Sequence, residues 1–287
     1  RQWAIALGAN TLALFYHRDV FLEAGLDPNA PPRNWDELVD YALTIKEKTG
    51  KWGVALGSTG NVSQDHNVLE MFAVQNDARP ITDDNRRALV NNQNFIEAMD
   101  FYTGFIKRYN VWSESAPNER EAFMNGELGM LICGSWYIKP FQNAGINFAV
   151  APVPQKDPED PYTHATFWGE VVSKDCEYPE VAWDFLVFCA KKENMLRFFR
   201  ATLRPPTRKD LLEISIQEEP IIKPFMEQTS YAGMWFKPWE NRWKEIQLEA
   251  INAVLHNVTD SQQALQKAAA QHNETLASYN KPYDFSR

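Results

Sequence analysis

Residues Glu121 to Pro154 read EAFMNGELGMLICGSWYIKPFQNAGINFAVAPVP, and the fold class follows from this stretch. A helical pattern stops at Asn125-Gly126, where glycine supplies the left-handed residue that commonly closes a helix. Leu128 to Cys133 (LGMLIC) is apolar throughout yet too short for a helix, which predicts a buried strand. Gly134-Ser135 breaks that run, and Trp136-Tyr137 follow at the head of another helical segment. A second strand-like run, Asn147 to Val150, leads into the stiff Ala151-Pro152-Val153-Pro154. Large aromatics just past the C-terminal end of a buried strand occupy the place where open α/β sheets bind ligands. Trp136 and Tyr137 fit a core position equally well. The proline-stiffened exit predicts a crossing between lobes.

Outward from this stretch, strands and helices alternate. Residues 3–16 (WAIALGANTLALFY) predict a strand, a turn at Gly-Ala-Asn-Thr and a second strand. A short helix from Arg18 stops at Gly25; Asn34 and Glu37 form a capping box for a helix that ends at Gly50. Trp52 to Leu56 is a strand, followed by a long polar loop, Gly57 to Asn67, and a helix from Val68 to Gln75. Asn94 to Tyr109 is amphipathic, with Phe95, Ala98, Met99, Tyr102 and Ile106 in its stripe. Thr166 to Ser173 predicts a strand, and Pro179 to Ala190 a helix with Val181, Ala182, Phe185, Leu186 and Cys189 inward. After Pro205-Pro206 helices dominate, the last of them, Ser261 to Tyr279, capped by Thr259 with Gln262. This alternation predicts an α/β chain with a largely parallel sheet.

The bulk numbers narrow the function. A chain of 287 residues with 44% hydrophobic residues can bury one large core or two modest ones. A net charge of −9 argues against nucleic acid or an anionic membrane as partner. The ten tryptophans suit large cores or flat platforms for sugar rings. The longest apolar runs fall short of a membrane span. Arg1 is not a natural start, which points to a processed or trimmed chain. The three cysteines have no metal-ligand spacing; Cys176 and Cys189 could pair, and three buried free thiols are the simpler expectation. No phosphate loop, dinucleotide fingerprint, nucleophile elbow or zinc-protease motif is present. Asp65 and Glu170 are the best candidates for a glycosidase pair, without a spacing signature.

Several ordered motifs resemble the family of extracellular solute-binding proteins of ABC importers. TLALFYHRDVFLEAGLDPNAPPRNWDELVDYA is similar to that family's strand ending in Tyr-Tyr-Asn-Lys-Asp and the segment that follows it. AFMNGELGMLICGSWY, FAVAPVP, FWGEVVS, EVAWDFLVF and RPPTRKDL have counterparts in the same order. The resemblance implies an α/β, two-lobed, maltose-binding-protein-like fold (type II) with the first lobe largely missing, on the order of 100 residues. Residues 1–152 would begin the second lobe, 153–203 would be a remnant of the first, and 204–287 would complete the second.

The resemblance further implies a periplasmic or extracellular monomer, with a lipid anchor through the missing N-terminus left open. Such a protein delivers a solute, usually a mono- or oligosaccharide, to the membrane subunits of an ABC permease, without cofactor, nucleic acid or catalysis. Its ligand positions fall on Asp65, His66, Asn67, Trp136, Tyr137, Tyr231, Trp235 and Trp239 in the second lobe. Trp168 and Gly169 would come from the first-lobe remnant, with Arg204 near the return crossing. The second-lobe loops are poor in Arg and Lys, which favours a neutral sugar over a phosphate. A carbohydrate-active enzyme using Asp65 and Glu170 is the alternative.

Overall fold

The computed structural model describes residues 3–56 and 65–279. Strand β1 (Ile5–Thr11) runs through Gly8-Ala9-Asn10 in extended conformation, so the expected Gly-Ala-Asn-Thr turn does not form. After Leu12 the chain enters β2 (Ala13–His17) in a different sheet. Helix α1 (Arg18–Glu23) closes at Gly25, whose φ of 77° requires glycine. Helix α2 (Trp35–Thr49) starts with the Asn34 side chain accepting from Glu37 N at 2.8 Å. Glu37 returns to the backbone of Arg33 rather than Asn34, one residue outside the expected box. β3 (Trp52–Ala55) follows. Residues 57–64 of the polar loop lie outside the described residues. Asp65 caps α3 (His66–Gln75), which starts two residues earlier than expected. α4 (Gln93–Lys107) buries Phe95, Ala98, Met99 and Tyr102.

The opening stretch supplies α5 (Glu119–Met124), β4 (Leu128–Cys133), α6 (Ile138–Asn143) and β5 (Phe148–Ala151). β4 is buried at all six positions because helices cover both faces of its sheet. The strand order is β3-β4-β2-β5. Only β3 and β4 run parallel; β2 is antiparallel to both β4 and β5. The sheet is therefore mixed, not largely parallel, because β2 enters from the crossing at Leu12 in the opposite direction. Along β2, Leu14 and Tyr16 join one core with α2, α3 and α4. Ala13 and Phe15 join the other, with Phe123, Phe141 and Phe225.

The second sheet pairs β1 antiparallel with β6 (Thr163–Glu170), which starts three residues earlier than expected. Next come α7 (Pro179–Cys189), α8 (Lys192–Thr202), α9 (Leu212–Glu218) and α10 (Lys223–Glu227). The short β7 (Ala232–Gly233) pairs with the start of β6, and α11 (Glu240–Leu255) and α12 (Ser261–Tyr279) pack as a hairpin. Asp260, not Thr259, caps α12, accepting from Gln263 N at 2.7 Å. No residue of α7 is buried: Val181 is 66% and Phe185 63% exposed. The apolar stripe is real, but no described element covers it. Cys133 is buried, whereas Cys176 and Cys189 are partly exposed, and all three are free.

The chain passes between the two sheets beside buried Gln228. Its amide donates to Leu12 O at 3.0 Å, and its carbonyl oxygen accepts from Val153 N at 3.0 Å. A third crossing segment is fixed where Ala9 N donates to Pro205 O at 2.9 Å.

Candidate functional site

The floor of the cleft forms where β4 ends, α3 begins and the crossing strands pass. Asn10, Thr11, Leu12, Asp65, Asn67, Trp136, His164 and Thr166 line a small hollow of about 30 Å³. His164 and Thr166 also line a second hollow of about 350 Å³, completed by Met234, Trp235, Phe236, Lys237 and Glu240. The two hollows therefore form one cleft. A separate groove of about 320 Å³ between α11 and α12 shares no residue with it.

Asp65 acts twice. Its Oδ1 accepts from the backbone N and the Nδ2 of Asn67, both at 2.9 Å, which caps α3. Its side chain keeps 27% exposure. Burial raises its pKa, opposed by the Asn67 hydrogen bonds and the charge on Lys237. Tyr102, donating to Leu56 O at 3.0 Å, accepts from Asp65 N at 3.2 Å and fixes this corner.

Trp136 stands in a short turn, Ser135–Tyr137, with 42% of its surface exposed. Its indole lies across Gly134, where a Cβ would fall 1.9 Å from the ring. Gly134 thus sets the position of the ring. Tyr137 points the other way: its hydroxyl donates to Glu119 at 2.8 Å and its ring packs on Phe141. Burial and the Glu119 hydrogen bond raise its pKa, and it packs, partly buried, against the core.

The remaining expected positions divide. His66 is buried, its pKa lowered to about 3 by desolvation, so it is a neutral packing residue. Trp235 lies 5.3 Å from the His164 ring and lines the cleft. Trp239, in a left-handed conformation (φ 55°) and 64% exposed, turns to the rim beside Tyr279. Tyr231, half-buried with a pKa pushed up to about 12 by burial, lines neither hollow. Trp168 is 75% exposed and Gly169 pairs with Ala6, both further along β6. Arg204 packs against Gly8 at the return crossing. Glu170 lies four residues beyond Thr166, roughly 13 Å along the strand at the usual rise. It lines neither hollow, whereas Asp65 lines the smaller one.

Sequence reading missed several lining residues, among them His164, Thr166 and Phe236, and also the buried pair Glu70 and Lys237. Lys237 Nζ donates to Glu70 Oε2 at 2.6 Å and lies 4.6 Å above the Trp235 ring. Trp243 Nε1 donates to Glu70 Oε1 at 2.6 Å. Burial raises the Glu70 pKa against the pull of Lys237. Both oxygens nevertheless accept N–H groups, which leaves a carboxylic proton without an acceptor and fits the carboxylate. The one clue in the sequence is that residues 68–74 of α3 are apolar on both sides of Glu70, so a charge there needs a distant partner.

The sequence matches the bacterial extracellular solute-binding protein family over residues 3–224. The chain belongs to this family. It is 27% identical to the sn-glycerol-3-phosphate-binding periplasmic protein UgpB of Escherichia coli (strain K12), over 95% of this chain and 67% of that one. Among solved structures, a solute-binding protein of an ABC transporter from Thermotoga lettingae, bound with α-D-tagatose, superposes with a TM-score of 0.83. It is 22% identical, and the match covers 96% of this chain and 72% of that one. The cyclic α-maltosyl-1,6-maltose binding protein of Arthrobacter globiformis gives a TM-score of 0.80 at 25% identity, over 97% and 73%. The two sheets joined by three crossings are thus those of a periplasmic sugar-binding fold, and the family's members are binders. Among the described residues no helix is long and apolar enough to cross a membrane.

Proposed function

We propose that this chain is the solute-binding component of an ABC importer and receives a mono- or oligosaccharide in the cleft between Trp136 and Trp235. The observation that carries this is the exposed Trp136 indole beside Asp65 and Asn67. A sugar offers a C–H face to such a ring, while its hydroxyls need fixed acceptors and donors. The sugar ligands named for two of the structurally similar proteins support the class.

In this reading β1, expected in the second lobe, instead joins β6 and α7 in the first because it pairs with β6, and the mixed sheet is the second lobe. The uncovered stripe of α7 and the share of each solved relative that is matched support it. Solute between the lobes favours the closed state because only that state completes its contacts. The permease subunits then receive a closed monomer outside the cytoplasmic membrane. Calorimetric titration with a saccharide panel tests the proposal: at least one saccharide binds wild type, and Trp136→Ala weakens it. Unchanged affinity in that variant would remove Trp136 from the site. A phosphorylated polyol is the second reading, favoured by the glycerol-phosphate binder at 27% identity.

A further inference from the structure

Resting on the solute-binding proposal above, we infer that the cleft selects an uncharged solute over its phosphorylated counterpart, and that Glu70 sets this selectivity. Among the described residues lining the two hollows, Lys237 is the sole cation, and Asp65 and Glu240 are the acids. Among the described residues of these two hollows, Lys237 is therefore the one side chain that could pair with a phosphate.

The ammonium of Lys237 is already committed. Its side chain is 8% exposed and that of Glu70 is fully buried, with 2.6 Å between Nζ and Oε2. A second direction from Nζ reaches Asn67 Oδ1 at 3.4 Å, and a third meets the face of Trp235. An ammonium has three N–H donors, and these three partners use them. Withdrawing Lys237 towards a phosphate would leave the Glu70 carboxylate buried with only Trp243 as partner, which is strongly unfavourable. The second carboxylate oxygen of Asp65 takes no hydrogen bond among the described residues. It repels an anion and accepts from a hydroxyl. Arg204 and the exposed Lys244 line neither hollow.

Glu70 is therefore a specificity-determining residue that never touches the solute. It cancels a cation that would otherwise make the cleft an anion site. Replacing it by glutamine keeps an acceptor for Trp243 while removing the cancelling charge.

Matched probe pairs test this on the whole protein by calorimetry: D-glucose against D-glucose 1-phosphate, maltose against maltose 1-phosphate, and glycerol against sn-glycerol 3-phosphate. Inorganic phosphate is the solute-free probe in thermal unfolding. In wild type the neutral member binds roughly tenfold or more tighter than its phosphate ester, and phosphate does not raise the melting temperature. Glu70→Gln narrows or reverses that ratio and gains stabilisation by phosphate. The uncharged pair Glu70→Gln/Lys237→Gln loses the gain. Wild type binding a phosphate ester more tightly overturns the inference without any variant. A folded Glu70→Gln protein with no response to phosphate overturns it too. If no uncharged saccharide binds wild type, the saccharide proposal fails, and the phosphate response still judges Glu70 separately.

Discussion

Gly134→Ala displaces Trp136 without deleting it. At Gly134 the backbone (φ −91°, ψ 175°) suits alanine, so the effect is purely steric. The new Cβ would lie 1.9 Å from Cζ3, 2.4 Å from Cη2 and 2.5 Å from Cε3 of Trp136. Ordinary contact begins near 3.4 Å, so the ring must move by about 1.5 Å or more. With 42% of its surface already exposed, it can swing towards solvent instead of straining the core. The fold should lose about 1 kcal/mol or less. Solute affinity should fall as in Trp136→Ala, by about 2 kcal/mol or roughly 30-fold. Calorimetry with the best saccharide measures the loss, and near-ultraviolet circular dichroism reports the ring. The double variant should bind no worse than Trp136→Ala, because both changes remove one contact. Wild-type affinity in Gly134→Ala, or additive losses in the double variant, would refute the positioning role.

Other outcomes follow from the same geometry. Gly53→Ala places a Cβ 2.3 Å from the carbonyl oxygen of Ala42, backbone that cannot yield locally. It should cost 1–3 kcal/mol, roughly, in urea unfolding by pushing α2 off β3. Asp65→Ala should lose about 1 kcal/mol of stability with the cap. Asp65→Asn keeps a capping oxygen, so it should restore stability while solute binding stays weakened. His66 and His272 are held neutral by burial, each with its pKa lowered to about 3. The unfolded chain binds these protons below about pH 6.5, so their contribution is complete above that pH and falls as pH drops towards 3. Each should cost about 1.4 kcal/mol per pH unit in that window, read from urea unfolding at pH 7 and pH 5.

Much of the fold was legible because its signals are local. LGMLIC is apolar at every position since helices cover both faces of its sheet, and Gly25, Gly50 and Gly126 all take the positive φ that ends their helices. Strand direction was not legible, because alternation of strands and helices does not reveal that β2 enters from another sheet. Gly8 to Thr11 read as a turn from residue type. They stay extended because Ala9 to Thr11 pair with Phe167 to Ala165, while Gly8 admits the close approach of Arg204 and Pro205.

The site divides on the same ground. Trp136, Asp65 and Asn67 are adjacent to visible element ends, and the structure brings them together. Tyr137 follows Trp136 directly, yet the one-residue step turns it onto Phe141. Glu70 and Lys237 are 167 residues apart, and nothing in either neighbourhood names the other. The Thr259-Asp260-Ser261 run offers three equivalent capping residues, and only the backbone geometry selects Asp260.

The central claim, that a saccharide sits on Trp136 in this cleft, is tested most directly by nuclear magnetic resonance of the tryptophan indole N–H groups during saccharide titration. The indoles of Trp136 and Trp235 should shift with a saccharide that binds, while those of Trp52 and Trp112, edge to face at 5.7 Å near the opposite end of β4, stay in place. Shifts confined to Trp52 and Trp112, or none at Trp136 with a saccharide that calorimetry shows to bind, would contradict it.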